Sequence, residues 1–323
     1  MKRVLSGIQP SGQLHLGNYA GAIRQFIDMQ DTHEMYVFVA SYHALTSSRD
    51  AVALRQCIGQ VVIDCIAFGL DPRKCHLYLQ QDVPQVTELA WILGCVCPKS
   101  LMDKATSYKD KTAKGLSASI GLFTYPILQA ADILGVDPDV VPVGEDQRQH
   151  VEITRDLAEK FNHIYGPTFK VPDVVVRQGA GVLPGVDGQK MSKSYDNTID
   201  PFMAEKPLRK RIMSIKTDST PVEEAKDPQK DTVFQIYRAI AGEDDARTVE
   251  LSRRYTAGGM GYGDAKQALY ELILEHFGPA RKRRGELMND PGYIEQVLRD
   301  GAAAAREKIG AVTERALKAV GLR

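Results

Sequence analysis

The sequence predicts an α/β fold, a parallel sheet covered by helices and followed by a smaller all-helical unit. Three observations carry this expectation. The apolar runs Val4 to Ile8, Met35 to Ala40 and Cys75 to Gln80 are short, and Met35 to Ala40 is apolar throughout, as in a strand buried on both faces. Helical spacing separates them, with Leu54, Ile58, Val61, Val62, Cys65 and Ile66 on one stripe. From Ala204 onward the pattern is helical, with no further alternation of strand and helix.

The first element is a strand, a tight turn and a helix opening, GIQPSGQLHLGNYAGA from Gly7 to Ala22. Pro10, Ser11 and Gly12 stop the strand and let the backbone turn, and regular structure resumes at His15. Gly17 leaves room for a flat ring or sugar, and a helix running to about Met29 aims its N-terminal amides at the turn, where an anion fits. After Met35 to Ala40 comes His43, at a strand's carboxyl end, where ligands of open α/β sheets collect. It could line a pocket or cap a turn.

Ser48 and Asp50 offer N-caps for a helix ending near Gly69. Val86 to Cys97, with the only tryptophan, Trp91, reads as an unusually apolar helix. Lys99 to Lys114 reads as a loop-like basic segment. With Pro126 taken as a helix start, Tyr125, Gln129 and Asp132 fall on one face and converge on a pocket. Val140 to Gln147 is the next strand and turn, with Gly144 permitting close approach, and Val151, Leu157, Ala158 and Phe161 predict an amphipathic helix from Gln147 to Phe161. Lys190 to Ser194, KMSKS, lies in a polar segment with Gly185, Gly188 and Asn197 nearby. Two lysines and two hydroxyls on such a loop suit a triphosphate whose charge shifts during reaction.

PSGQLHLGN and KMSKS, in this order and about a domain apart, resemble the two signatures of class I aminoacyl-tRNA synthetases. SYKDK at Ser107 to Lys111, TYPILQAADIL at Thr124 to Leu134 and VPVGEDQRQHVEITRDLAEKFN at Val141 to Asn162 make the chain similar to the tryptophanyl branch over essentially its whole length. The resemblance implies a Rossmann-like catalytic domain at 1–195, a helical anticodon-binding domain at 196–286 and a C-terminal segment at 287–323 packing back on the first. It implies formation of tryptophanyl-adenylate from ATP and L-tryptophan, then esterification of tRNA(Trp). Lys193, with Lys190, Ser192 and Lys111, is the expected catalytic set. Gln9, Ser11, His15, Gly17, Asn18, Gly144, Asp146 and Met191 are expected to bind ATP, with Gln9 also near the substrate carboxylate. Leu5, Gly7, His43, Tyr125, Gln129, Asp132, Val141, Val143 and Gln147 are expected to surround the amino acid, Asp132 accepting the indole N–H and Tyr125 and Gln147 meeting the ammonium.

Gln129 and Leu5 depart from the tryptophanyl pattern, which often has methionine and phenylalanine there. YxxxQxxD is the tyrosyl arrangement, so tyrosine activation is the nearest alternative; a synthetase-like tRNA-binding protein without the ligase activity is the more distant one. The resemblance also implies a homodimer formed near Val86 to Cys97, and Mg²⁺ entering with ATP.

The 323 residues balance 41 basic against 41 acidic side chains, so any RNA contact must come from local basic patches such as Lys206 to Lys216 and Arg281 to Arg284. For each patch an ordinary solvated helix face is the alternative. The five cysteines lack the paired spacing of zinc sites, and none follows Cys97 to hold an iron–sulfur cluster. No stretch reads as a signal peptide or approaches the ~18 apolar residues of a membrane span, so a cytoplasmic protein is expected.

Overall fold

A computed structural model describes residues 1–104, 119–176 and 183–323 of the chain. Among these residues five parallel strands form one sheet in the order β3-β2-β1-β4-β5. They are β1 (Lys2–Ile8), β2 (His33–Val39), β3 (Cys75–Leu79), β4 (Val140–Val143) and β5 (Asp173–Val176). β1 and β2 pair from Lys2 opposite His33 to Ile8 opposite Val39, and β4 joins the other side of β1 at Val4 opposite Val140. Strand order reverses direction at β1, so the crevice between the carboxyl ends of β1 and β4 is the switch point where such sheets bind ligands.

Side-chain alternation divides the core in two. Val4, Met35, Val37, Val39 and Leu77 point to one face, while Leu5, Tyr36, Phe38, Tyr78 and Val141 point to the other. The first of these apolar clusters continues without a break through Ile199, Leu208, Phe234 and Leu269 into the C-terminal helices.

The first helix differs from the regular one expected. Three α-helical residues, α1 (Leu16–Asn18), lead into a π-helical stretch, Tyr19–Ile23, before α2 (Arg24–Met29). The helix α3 (Ser41–Ala44) follows β2, and α4 (Ala51–Phe68) is capped by the Asp50 carboxylate, which accepts from the amides of Val52 and Ala53. Gly69 ends α4 at a φ of 119°, a left-handed conformation that suits glycine. By length and composition α4 is apolar enough to cross a membrane, with mean hydropathy 1.5, contrary to the expectation from sequence. Here it packs against the sheet and a C-terminal helix, and its buried Asp64 pairs with Arg284 at 2.7 Å.

The helices α5 (Gln85–Val96), α6 (Lys99–Lys104) and α7 (Ile120–Gly135) come next. The start of the expected basic loop is thus helical, and 105–118 lie outside the described residues. The helix α7 is capped by Ser119, whose hydroxyl accepts from the Leu122 amide, so Pro126 is inside the helix rather than at its start. A better cap seven residues upstream of Pro126 sets the boundary, and the helix tolerates the missing proline amide there. The helix α8 (Arg148–Tyr165) leads to β5, a short strand absent from the sequence reading.

The C-terminal part is helical: α9 (Glu205–Met213), α10 (Thr232–Ala241), α11 (Ala246–Ala257), α12 (Tyr262–Met288) and α13 (Pro291–Ala319). The last packs on β3 and α5. Its closest approach is at Gly301, where a Cβ would lie 2.0 Å from the Leu77 carbonyl oxygen, so only glycine fits.

Candidate active site

Two loops meet beyond the carboxyl end of β1. The turn after β1 needs glycine at Gly12, where φ is 107°. The segment from 183 to 200 folds over it: Pro184 and Lys190 form an antiparallel bridge, and the Leu16 amide donates to the Ile199 carbonyl at 2.9 Å. Lys193 then reaches back so that Nζ donates to the Ser11 carbonyl at 3.1 Å, and the Gly17 amide points at the Met191 sulfur at 3.3 Å. The two signatures are in direct contact across 182 residues of chain.

Asn197, 1% exposed, holds the second loop in shape. Its Oδ1 accepts from the Ser192 amide at 2.7 Å, and its Nδ2 donates to the Lys190 carbonyl at 3.0 Å and to Asp187 at 2.8 Å. A Cβ at Gly185 would lie 2.3 Å from the Asn197 side chain, which explains that glycine. The Lys190 side chain is exposed, while Ser192 is half-buried and its hydroxyl accepts from the Ser194 amide.

His15 is buried and lies within the field of the Lys193 ammonium. Burial, and then the neighbouring ammonium, pull its imidazole down to about 4, so the ring is neutral near pH 7. Its Nδ1 is buried without a partner among the described residues. Asn18 caps the turn by accepting from the His15 amide, and a Cβ at Gly17 would lie 3.0 Å from the His15 ring. Burial likewise lowers the Lys193 ammonium from its ordinary value, with Cys57, Asp64 and Asp200 opposing. Gln9 and Ser11 are exposed at the mouth. The turn is therefore a cationic, donor-rich surface, suited to a polyanion.

A second cluster occupies the ends of β2 and β3. Asp132 on α7 is 1% exposed, and its Oδ2 lies 2.8 Å from His43 Nε2. Gln80 Nε2 donates to both carboxylate oxygens at 2.9 Å. Burial raises the Asp132 carboxyl from its ordinary value, and the His43 and Gln80 donors pull it back. Tyr125, one face along α7, shares a 2.5 Å hydrogen bond with His150 Nε2 and meets the His43 ring edge-on at 6.2 Å. Gln129 is half-buried between them in sequence.

Leu5 and Val141 are buried in the apolar cluster behind Asp132, with Val143 partly covered against it. Gly7 faces Phe38, whose ring would lie 2.7 Å from a Cβ there. Gly144 is exposed with an ordinary φ of −71°, so its backbone conformation does not demand glycine; Gln147 ends the short helix after it. Lys111 and the Asp146 side chain lie outside the described residues.

Sequence reading missed Gln80 and His150. Gln80 has the signal that marked His43, a polar residue at the carboxyl end of a buried strand. His150 lies one turn beyond Gln147, and only the packing of α7 on α8 reveals its partner.

Both basic patches are partly structural. Arg284 pairs with Asp64 and lies over Phe202, Arg281 donates to the Pro201 carbonyl, and Arg211 donates to the carbonyls of Thr198 and Asp196. Lys206, Lys210, Lys216 and Lys282 are exposed. Among the described residues no group of three or more His, Cys, Asp or Glu could hold a metal ion.

Residues 1–278 match the family model described as tRNA synthetases class I (W and Y). A tryptophan–tRNA ligase of Rhodopirellula baltica is 48% identical over 321 residues, covering 99% of this chain and 100% of that protein. A tryptophan–tRNA ligase of Fusobacterium nucleatum is 48% identical over 323 residues, covering 100% of this chain and 98% of its own length. Among solved structures, a tryptophanyl-tRNA synthetase from Campylobacter jejuni complexed with ADP and tryptophan superposes with a TM-score of 0.92 at 47% identity, covering 99% of this chain and 100% of that one.

Proposed function

The chain belongs to the class I tRNA synthetases of the tryptophan and tyrosine type, and from that membership we propose that it activates L-tryptophan with ATP and transfers it to tRNA(Trp). The observation that carries the reading is the contact of Lys193 with the Ser11 carbonyl, which brings the loop cation to the donor-rich turn beside the pocket of Asp132.

The chemistry asks for no side-chain nucleophile. A tryptophan carboxylate oxygen attacks the α-phosphorus in line, the bond to the bridging oxygen breaks, and pyrophosphate leaves with the charge. The protein positions the two substrates and stabilises charge moving onto the leaving group. Lys193 takes that role first, with Lys190, Ser192 and Lys111 supporting it. His15, Gly17 and Asn18 face the nucleotide with Gln9, Ser11, Gly144, Asp146 and Met191. The neutral His15 ring offers a donor without a second fixed cation. Mg²⁺ enters as part of the ATP complex. In the second step the 2′-hydroxyl of the terminal adenosine attacks the adenylate carbonyl and AMP leaves.

Asp132 selects the amino acid by accepting the ring N–H in an otherwise apolar wall of Leu5, Val141 and Val143. A phenylalanine-like ring brings no donor to the lone pair that this buried carboxylate keeps open, and so forfeits that hydrogen bond. Gly7, His43, Tyr125, Gln129 and Gln147 complete the pocket, Tyr125 and Gln147 facing the ammonium group. The helices at 196–286 receive the anticodon through their exposed lysines, and 287–323 brace the catalytic domain at 1–195. A homodimer is part of the same reading: Trp91, on α5, is 77% exposed and offers an apolar contact. Five free cysteines accord with a reducing cytoplasm.

Charging of tRNA(Trp) with labelled tryptophan, followed as acid-precipitable counts, tests the proposal. Charging is the expected result; adenylate formation without charging would leave a nucleotide-using protein of another role.

A further inference from the structure

Gln80 is completely buried at the end of β3, yet no step of the chemistry above uses it. Its amide is held in one orientation, because Oε1 accepts from the Tyr42 backbone N–H at 2.9 Å. Flipping the amide would set its NH₂ against that N–H and its oxygen against a carboxylate, two repulsive contacts at once. The NH₂ is therefore committed to Asp132.

We propose that Gln80 is the positioning residue that aims Asp132 at the ring N–H of the amino-acid substrate. The inference rests on the reading of Asp132 as a substrate contact. Gln80 bridges both carboxylate oxygens, and His43 Nε2 adds a second donor at Oδ2. A carboxylate has about four lone-pair directions, so Oδ1, with a single donor, keeps one for the substrate. Gln80 stops the carboxylate rotating to spend that lone pair elsewhere. It also favours the ionised form by hydrogen bonding to it.

Among the described residues two titratable groups face Asp132 from other elements: His43 from α3 and Tyr78 from β3. The Tyr78 hydroxyl is buried without a hydrogen-bond partner among the described residues, and Asp132 helps hold its proton on. Loss of Gln80 therefore leaves His43 as the remaining donor to the carboxylate among the described residues, and the Asp132 carboxyl rises further.

The test uses the full-length enzyme and ATP–pyrophosphate exchange from about pH 5.5 to about pH 8.5, about one and a half units either side of neutrality. For Gln80→Met, a hydrogen bond to a charged group is lost, and the KM for tryptophan should rise about tenfold to a hundredfold. The kcat and the KM for ATP should stay within about threefold. The acidic limb of kcat/KM for tryptophan should move to higher pH, which a merely structural defect would not do. Gln80→Glu provides the second arm, because a protonated carboxyl can still donate to Asp132 while accepting from Tyr42. Its KM should be worst at high pH and improve as pH falls.

Unchanged tryptophan KM and pH limb in both variants overturn the proposal, as does an equal loss of ATP affinity. Should Gln80→Met not fold, the pH trend of Gln80→Glu decides alone: a KM that does not improve on acidification overturns it. Asp132→Asn separates the two layers. If it leaves the tryptophan KM unchanged, the substrate role of Asp132 fails; if it raises KM while the Gln80 variants do not, only the role of Gln80 fails.

Discussion

Lys193→Ala removes the loop cation whose Nζ lies 3.1 Å from the Ser11 carbonyl at the proposed phosphate surface. Two unit charges about 4 Å apart at an effective dielectric of about 20 interact by about 4 kcal/mol. Part of that attraction already exists with bound ATP, so only the increase on reaching the transition state slows chemistry. Removing one such stabilising group costs about 2.7–4 kcal/mol, or about 10²–10³ in rate. Single-turnover adenylate formation should fall by that factor, while tryptophan affinity, measured by equilibrium dialysis, should change by less than about threefold, since Lys193 does not touch the pocket of Asp132. Equal losses in rate and tryptophan affinity would refute a transition-state role and make the lysine a scaffold for the site.

Asn197→Ala unpairs the half-buried Ser192 amide and the Lys190 carbonyl, and should cost about 1–3 kcal/mol in urea denaturation, together with a raised KM for ATP because the loop loses its clamp. His15 should titrate near 4 by NMR, and higher in Lys193→Ala, because the ammonium is one cause of the depression. The sign of its effect on stability follows: a ring kept neutral by folding contributes fully above its ordinary value of 6.5 and loses that contribution as pH falls toward about 4. The urea midpoint difference between the native chain and His15→Asn should therefore shrink as pH falls from about 7, just above that window, to about 5, inside it. Gly301→Ala drives a methyl into the Leu77 carbonyl and should destabilise by about 1–3 kcal/mol or more by the same assay.

What was legible in the sequence was local. The strand, turn and helix at Gly7 to Ala22, the buried β2 and the polar KMSKS segment each carry their own punctuation, and the contact between them follows the resemblance of their motifs. What was not legible depended on packing across long separations. Gln80 and Asp132 stand 52 residues apart, and no periodicity links them. His150 reaches Tyr125 only because α7 lies on α8. Pro126 misled as a helix start because Ser119, the stronger cap, lies upstream. β5 is four residues long, too short for a pattern to show. In the run Arg281 to Arg284, Arg281 and Arg284 proved to be partly architectural, since charge alone does not reveal that Asp64 lies buried opposite.

The most direct test of tryptophan activation is ATP–pyrophosphate exchange by the purified chain, run separately with tryptophan and with tyrosine. The account predicts exchange with tryptophan and none above background with tyrosine, with Gln129 a tolerated variant of the pocket. Exchange with tyrosine in place of tryptophan would contradict it and assign the Gln129 and Asp132 face of α7 to a phenol.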